Sequence, residues 1–461
     1  MERFASAVAV VLLCAGCGSS GSGPSGVDSA VLLVIDTLRA DDAYDPQIAP
    51  HLNALGEGSV VFDRAYSSAS YTLASTATLF TGLRPAAHVN LGEQTNVLQP
   101  AHQTLAEALS EAGVATAAFS CNPHISRPGG FDQGFGDFGF YGRDAFEEHR
   151  VPAAVRADLV AWWRDHEDRR RFAYVHVLPP HAPYQAPVEF RRARGVAHLD
   201  LAQGSQKRLD ELNGEASRGP DALAVEELRE LYRASILYID EWQHTLHEEL
   251  RAATPGARLG WIVTSDHGEG FMEHGRVSHG FSPYEEQVHV PLLWSWPELE
   301  ARREPALVET RSIAATLCEA MGASWSGADL GRSWWLALQS ATPIKALDGV
   351  LSRSMGGRPA WSWRTSEWTH LWQSASGTSA LYDPREVPGE YTDLAGLSGA
   401  WQERARSLAS ALQAALEHDA ALRVPIEAPR AHTVFAKELA ALGYLANPED
   451  SERVAPKTDD E

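Results

Sequence analysis

Asp36 closes the apolar run AVLLVID, and Asp266 with His267 closes and follows GWIVTSD. Asn122 and His124 come just after TAAFSC, and His181 follows RFAYVHVL within PPHAPY. Carboxylate oxygens and imidazole nitrogens suit a hard or borderline divalent cation such as Mn, Zn, Ca or Mg. Each residue alone has a plain structural reading, because an Asp after a strand often caps a helix. Four apolar runs that all end in carboxylate, amide or imidazole exceed what capping requires. Asp36, Asp266 and His267 are therefore the expected ligands of one divalent metal.

The stretch SYTLASTATLFTG, residues 70–82, is dense in hydroxyls and nearly free of charge. Ser and Thr serve N-caps and turns, and TATLF reads as a buried helical turn stopped by Gly82. The chemical reading is that one hydroxyl is a nucleophile. Bound to the same ion, it would have its pKa lowered, as metal-bound water does. At the start of a short helix it would also sit at a positive helix end, suited to an anionic ester.

The elements that must hold these groups are legible as short apolar runs at 30–36, 116–121, 171–178, 260–266 and 290–296. Helical patterns lie between them at 104–113, 151–166 and 225–253. Strands alternating with helices predict an α/β domain around a largely parallel, buried sheet. In such sheets ligands bind beyond the carboxyl ends of the strands, where the polar residues fall. Residues 201–222 are polar and predict a surface excursion. From about residue 340 the pattern changes. WSWRTSEWTHLWQ predicts an exposed antiparallel strand pair, and WQERARSLASALQAALEHD an amphipathic helix. The expected layout is a main domain over 29–340, a smaller C-terminal α+β subdomain over 341–420 and a tail over 421–461.

Composition narrows the partners. The chain has 461 residues, 44% apolar and 22% charged, a globular balance. A formal net charge of −22 argues against nucleic acid and against a broad basic face for anionic lipid. An anionic substrate must then be drawn in by a local cation. The amino terminus carries Arg3, an apolar run from Phe4 to Leu13 and then Cys17 in CAGC, followed by GSSGSGPSG. The run is too short to span a bilayer and reads as a signal segment. CAGC resembles a bacterial lipobox. Residues 1–16 are the expected signal peptide, Cys17 the lipidated mature terminus and 17–28 a flexible tether. The protein is thus expected outside the cytoplasm, anchored to an envelope membrane, periplasmic or on the cell surface. Cys121 and Cys318 read as buried small apolar side chains rather than a bridge.

Nine motifs, in order, carry a family resemblance: LLVIDTLRAD, YTLASTATLFTGLRP, GVATAAFSCNPH, QGFGDF, VLPPHAPY, SDHGEGFMEHGRVSHG, PYEEQVHVPLL, LYDPREVPGEYTDLA and LAALGYL. Together they resemble the sulfatase family of the alkaline phosphatase superfamily. The resemblance implies an alkaline-phosphatase-like, mostly parallel central sheet flanked by helices, and hydrolysis of anionic esters. It implies Asp36 as first metal ligand, Asp266 and His267 as the late ligand pair, and Thr72 as nucleophile and further ligand. His181 matches the PHxPY imidazole that contacts the transferred group, and His279 lies where many sulfatases have Lys. Asn122 and His124 fall in the region that meets substrate.

The chain departs from the family where sulfatases carry Cys-x-Pro-x-Arg, or Ser in place of Cys. Here Thr72, Leu73, Ala74, Ser75 and Thr76 stand instead, so the formylglycine route is closed. Thr37 replaces the second Asp of the usual pair. Both changes resemble the branch that uses an unmodified Thr. A sulfated Thr lacks the exit that formylglycine provides, whereas a phosphorylated Thr is open to in-line attack at phosphorus. Phosphodiester or phosphoryl substrates are therefore favoured. The alternatives are a true sulfuric ester hydrolase, a phosphoglycerol or phosphoethanolamine transferase, and a catalytically dead lipid-anchored binding protein. His274 reads as second-layer or structural, and His88, His102 and His176 as structural. Asp240 and His244, four apart on one helix face, read as a helix contact rather than a second metal site.

Overall fold

The computed structural model describes residues 29–88, 97–142, 151, 153–216, 219, 221–326, 331–356, 358–385, 390, 392–396 and 399–424. The signal segment, Cys17, the tether, most of the tail and the LAALGYL motif lie outside them.

Eight strands form the central sheet: β1 (Ser29–Ile35), β2 (Val60–Tyr66), β3 (Ala115–Ser120), β4 (Asp137–Phe140), β5 (Arg171–Val177), β6 (Leu259–Thr264), β9 (Leu292–Ser295) and β10 (Arg302–Glu309). Between β6 and β9 lies a small ribbon of β7 (Gly270–Phe271) and β8 (Val277–Ser278). The sheet order is β10-β2-β9-β6-β1-β5-β3-β4. Only β9 runs against its neighbours, β2 and β6, so the sheet is mostly parallel as expected. Strand β1 sits in the middle. Its alternate side chains feed two cores, with Val31, Leu33 and Ile35 on one face and Ala30, Leu32 and Val34 on the other. Burial on both faces is why its sequence is a continuous apolar run.

Register aligns the ends of the three central strands. Val34 pairs with His176 of β5 and with Thr264 of β6. The residues just past or at those ends are Asp36, His176 and the Ser265–His267 turn. The 32-residue helix Ala222–Ala253 covers one face, burying Leu228, Leu231, Ile239, Leu246 and Leu250. Its start is fixed by Asp221, which accepts from the Leu223 N–H at 3.0 Å.

Two expectations need correction. Residues 201–222 are not a bare excursion. They hold a 3-10 turn (Leu201–Gly204) and a helix (Gln206–Glu215) that buries Leu209 and Leu212. There Asn213 clamps the backbone of Val277, accepting at 2.9 Å and donating at 3.1 Å. The strand pair in WSWRTSEWTHLWQ exists but is not exposed. It is β12 (Ala360–Arg364) and β13 (Thr369–Gln373) of a four-stranded antiparallel sheet with β11 (Val350–Arg353) and β14 (Thr378–Tyr382). Its Arg364 is buried against Glu390 at 2.6 Å and Glu285 at 3.2 Å. This small sheet also packs onto the main one. Ala69 bridges to Arg353, the Ser352 hydroxyl donates to the Ser67 carbonyl at 2.6 Å, and the Met355 N–H donates to the Gly280 carbonyl at 2.8 Å. It therefore braces the segment leading into Thr72 and the segment leaving His279. The helix Gly399–Ala421 packs over this sheet, matching the amphipathic pattern.

Candidate active site at the ends of the central strands

The helix Thr72–Thr81 begins directly at Thr72, with Tyr71 extended before it and Gly82 closing it at φ 67. The Gly82 N–H returns to the Thr78 carbonyl at 2.8 Å, the left-handed stop expected of glycine. Thr72 thus occupies the first helical position, where backbone N–H groups have no partner within the helix. Its hydroxyl is buried and lies 3.3 Å from His267 Nε2. His267 donates from Nδ1 to the Gly268 carbonyl at 2.9 Å, which leaves Nε2 with its lone pair facing Thr72. That turn needs glycine: a Cβ on Gly268 would stand 2.1 Å from the Glu286 carbonyl oxygen.

The same Nε2 lies 3.7 Å from Asp36 Oδ1 and 3.5 Å from Asp266 Oδ2. The two carboxylates are wholly buried and held from behind. Asp36 Oδ2 accepts from the Asn122 amide at 2.7 Å. Asp266 Oδ1 accepts from the His267 N–H at 2.9 Å and the Thr37 N–H at 3.3 Å. Their other oxygens, Asp36 Oδ1 and Asp266 Oδ2, are buried without a hydrogen-bond partner among the described residues. A buried, unpaired carboxylate oxygen is costly. Burial first, and then the facing Asp266, push the Asp36 carboxyl up to about 7. Burial works the same way on Asp266, yet His267, His176 and hydrogen bonds hold it below the usual range. Two orphaned oxygens converging with an imidazole nitrogen and a hydroxyl fit a divalent cation, which would remove that penalty.

Thr37 has φ 58, a left-handed conformation rare for a β-branched residue. The strain aims its N–H at Asp266, while its carbonyl accepts from the Tyr232 hydroxyl at 2.8 Å. Its own hydroxyl is buried and unpaired.

His181 and His279 line the side of the site. Their rings are 4.9 Å apart, and the His279 ring is 4.3 Å from that of His267. His181 Nδ1 bonds the Ala182 carbonyl at 2.5 Å, and His279 Nδ1 bonds Glu269 Oε1 at 3.2 Å. Burial lowers both imidazoles, His279 to about 4. Glu269, pushed up by burial to about 7, also accepts from the Tyr184 hydroxyl at 2.8 Å.

The structure brings Asp36, Thr72, Asp266 and His267 together, with His181 and His279 beside them. Asn122 lies behind Asp36. Expected to meet substrate, it is fully buried and directs its amide to Asp36 and its oxygen to the His124 N–H at 2.9 Å. It is a positioning residue, and His124 is fixed through it. His176 also faces the carboxylates. Read as structural, it points Nε2 at Asp36 Oδ2, 3.4 Å away, and at Asp266 Oδ2, 3.9 Å away. Its ligand atom lies within 4.8 Å of those of both carboxylates. Its signal was an ionisable group inside a fully buried strand next to β1. Asp240 instead caps the helix Pro50–Gly56, accepting from His51 and Leu52 N–H groups at 2.7 and 2.8 Å, and His244 stacks on His51. His274 stacks on Tyr284 and bonds Glu286 at 3.0 Å. Cys121 and Cys318 are buried and form no disulfide among the described residues.

Comparison with known proteins agrees with this architecture. The sulfatase family model matches residues 29–323. The uncharacterized sulfatase YidJ of Escherichia coli (strain K12) is 25% identical over 236 residues, 47% of this chain and 45% of that protein. Arylsulfatase K of Mus musculus is 31% identical over 147 residues, 29% of this chain and 26% of that protein. The chain thus matches less than half the length of these curated relatives. In structure it is similar to the phosphonate monoester hydrolase of Agrobacterium radiobacter, with a TM-score of 0.68, 18% identity, and 85% of this chain and 96% of that one covered.

Proposed function

Because this chain belongs to the sulfatase family, we propose that it is a metal-dependent hydrolase of a small or lipid- or glycan-linked anionic ester. Thr72 is the nucleophile, and a phosphodiester or phosphoryl group is the favoured substrate. The observation that carries the reading is the Thr72 hydroxyl, first in its helix and 3.3 Å from the free Nε2 of His267, beside two orphaned carboxylate oxygens.

Asp36, Asp266, His267 and Thr72 would hold the metal, which when bound supplies positive charge that acidifies the hydroxyl and offsets the charge of the ester. The helix start adds its unpaired N–H groups to the same anion. Thr72, its hydroxyl proton released to solvent, attacks phosphorus in line through Oγ1, the bond to the leaving oxygen breaks, and that oxygen takes a proton from the His181–His279 side. Burial favours the neutral form of both imidazoles, and an anionic ester beside them favours their protonated, donating form. Water then attacks the phosphothreonine and returns a proton to the imidazole, and the bond from phosphorus to Thr72 Oγ1 breaks, so that Thr72 leaves as the alkoxide with which the cycle began. The missing Cys-x-Pro-x-Arg sequence supports phosphorus over sulfur, because an unmodified sulfothreonine has no elimination route. Export and lipidation at Cys17 belong to the same reading: an enzyme tethered by a Gly/Ser leash at a membrane surface.

The test is turnover of matched aryl phosphate diesters, phosphonates and sulfates with Mn or Zn, and mass spectrometry of enzyme quenched in turnover. We expect a phosphate-sized adduct on the peptide containing Thr72 and no turnover by a folded Thr72→Ala variant. An adduct on Ser70 or Ser75, or full activity in Thr72→Ala, sinks the assignment. Faster turnover of sulfate esters moves the substrate to sulfur.

A further inference from the structure

We infer that His176 is itself a ligand of the metal, and that it tunes the site for a zinc-type transition metal over calcium or magnesium. The inference rests on the metal site proposed above and deepens it.

The distances are long for hydrogen bonds, and the contact of His176 with Asp36 is a stretched one at best. Around this centre Thr72 Oγ1 to His267 Nε2 is 3.3 Å, His176 Nε2 to Asp36 Oδ2 is 3.4 Å and His267 Nε2 to Asp266 Oδ2 is 3.5 Å. His267 Nε2 to Asp36 Oδ1 is 3.7 Å, and His176 Nε2 to Asp266 Oδ2 is 3.9 Å. A well-formed N–H···O bond spans roughly 2.7–3.2 Å. Two ligand atoms held tetrahedrally at roughly 2.0–2.2 Å from one zinc stand about 3.3–3.6 Å apart. Three of the five fall in that range, and the other two, at 3.7 and 3.9 Å, lie just beyond it; all five exceed the span of a well-formed hydrogen bond. Elsewhere in the site the true hydrogen bonds are short, as between Asn122 and Asp36 at 2.7 Å.

Orientation agrees. His176 Nδ1 bonds the Tyr174 hydroxyl at 2.7 Å. That bond fixes the ring with Nε2 turned to the carboxylates, and in the tautomer protonated at Nδ1 the lone pair of Nε2 faces them, the arrangement of a ligating histidine with an orienting partner. Position agrees as well. Thr37 stands where the family pattern has a second Asp, and its side chain makes no hydrogen bond among the described residues. The oxygen missing from β1 is made up by a nitrogen from β5, opposite Val34 in register.

The donor set then holds two carboxylates, two imidazoles and a hydroxyl, all buried. Calcium takes six to eight oxygens and magnesium keeps a hydrated octahedron, whereas imidazole suits zinc and its neighbours.

The experiment uses metal-stripped full-length protein, titrated with Zn, Mn and Ca in competition with chelators, for wild type and His176→Gln. X-ray absorption at the zinc edge counts imidazole rings. We expect two rings in the wild type and one in the variant. We also expect zinc affinity to fall by more than ~100-fold, beyond the ~10–100-fold that loss of an orienting partner costs, with calcium changing less than zinc. One ring in the wild type, or two in the variant, overturns the inference, as does an equal fall for zinc and calcium. The wild-type ring count decides the matter even if the variant fails to fold. A wild type that binds none of these metals overturns both this inference and the metal site beneath it, whereas an unchanged ring count in a metal-binding enzyme overturns this inference alone.

Discussion

Replacing Asn122 with Ala removes one donor from the back of the proposed metal site without touching its front. The Asn122 amide lies 2.7 Å from Asp36 Oδ2, and both groups are wholly buried. A hydrogen bond to a charged acceptor contributes about 1.5–3 kcal/mol. At about 1.4 kcal/mol per tenfold, that is roughly a 10- to 150-fold loss of metal affinity if the bond matters only when Asp36 is ionised. Direction follows from the electrostatics. Burial and the facing Asp266 already raise the Asp36 carboxyl, and Asn122 is among the groups that lower it. Without the amide, a proton competes better with the metal, so the loss is largest near neutral pH and shrinks as pH rises. The assay is chelator competition at pH 7 and pH 8.5, with melting temperature recorded on the same samples. Wild-type affinity at pH 7 in a folded Asn122→Ala protein would refute the claim that this amide holds Asp36 for the metal. So would a loss that grows with pH.

Two further outcomes are expected. Burial opposes ionisation of Glu309, yet Arg84 at 3.1 Å, Arg311 at 3.0 Å and the Ser68 hydroxyl hold its carboxyl below the usual range. Its contribution is therefore present above the unfolded value of about 4.3 and lost as pH falls through the lower folded value. Denaturant melts from pH 3 to 6 should show that loss, and Glu309→Gln should flatten it while destabilising the protein at pH 7 by about 3–5 kcal/mol. Cys17→Ser should move the protein from the membrane to the soluble fraction on cell fractionation, and an unchanged membrane fraction would place the anchor elsewhere.

The buried strands were the most legible part of the chain. A strand covered on both faces must be a continuous apolar run, and β1, β3, β5, β6 and β9 all are. Strands β2, β4 and β10 escaped because they carry charge or punctuation. VVFDRAY has Asp63 and Arg64, and RREPALVE has Pro305 at a register shift on an edge strand, where proline is tolerated. Asp36, Asp266 and His267 were legible because they follow strands whose ends face the ligand side. His176 was not, because it lies within its strand, and strand periodicity sorts it with the core. Nor was the role of Asn122: spacing puts an amide near the site without saying which way it turns. The buried Trp-rich hairpin was misread as exposed, since alternation cannot tell solvent from the face of another layer.

The central place of β1 also sets the order of assembly. Among the described residues it is the first strand made, but its two neighbours begin only at residues 171 and 259. At roughly 5–20 residues per second of synthesis, both of its hydrogen-bonding edges stay open for on the order of ten seconds or more. SAVLLVI is an uncharged, β-branched segment of the kind that templates aggregation when its edges are free. A chain cut before β6 would lose two of the proposed ligands, and it would also keep an uncovered adhesive strand. Truncation or slow synthesis should therefore be met as insolubility before it is ever met as lost catalysis, and a holding chaperone on the growing chain is the natural remedy.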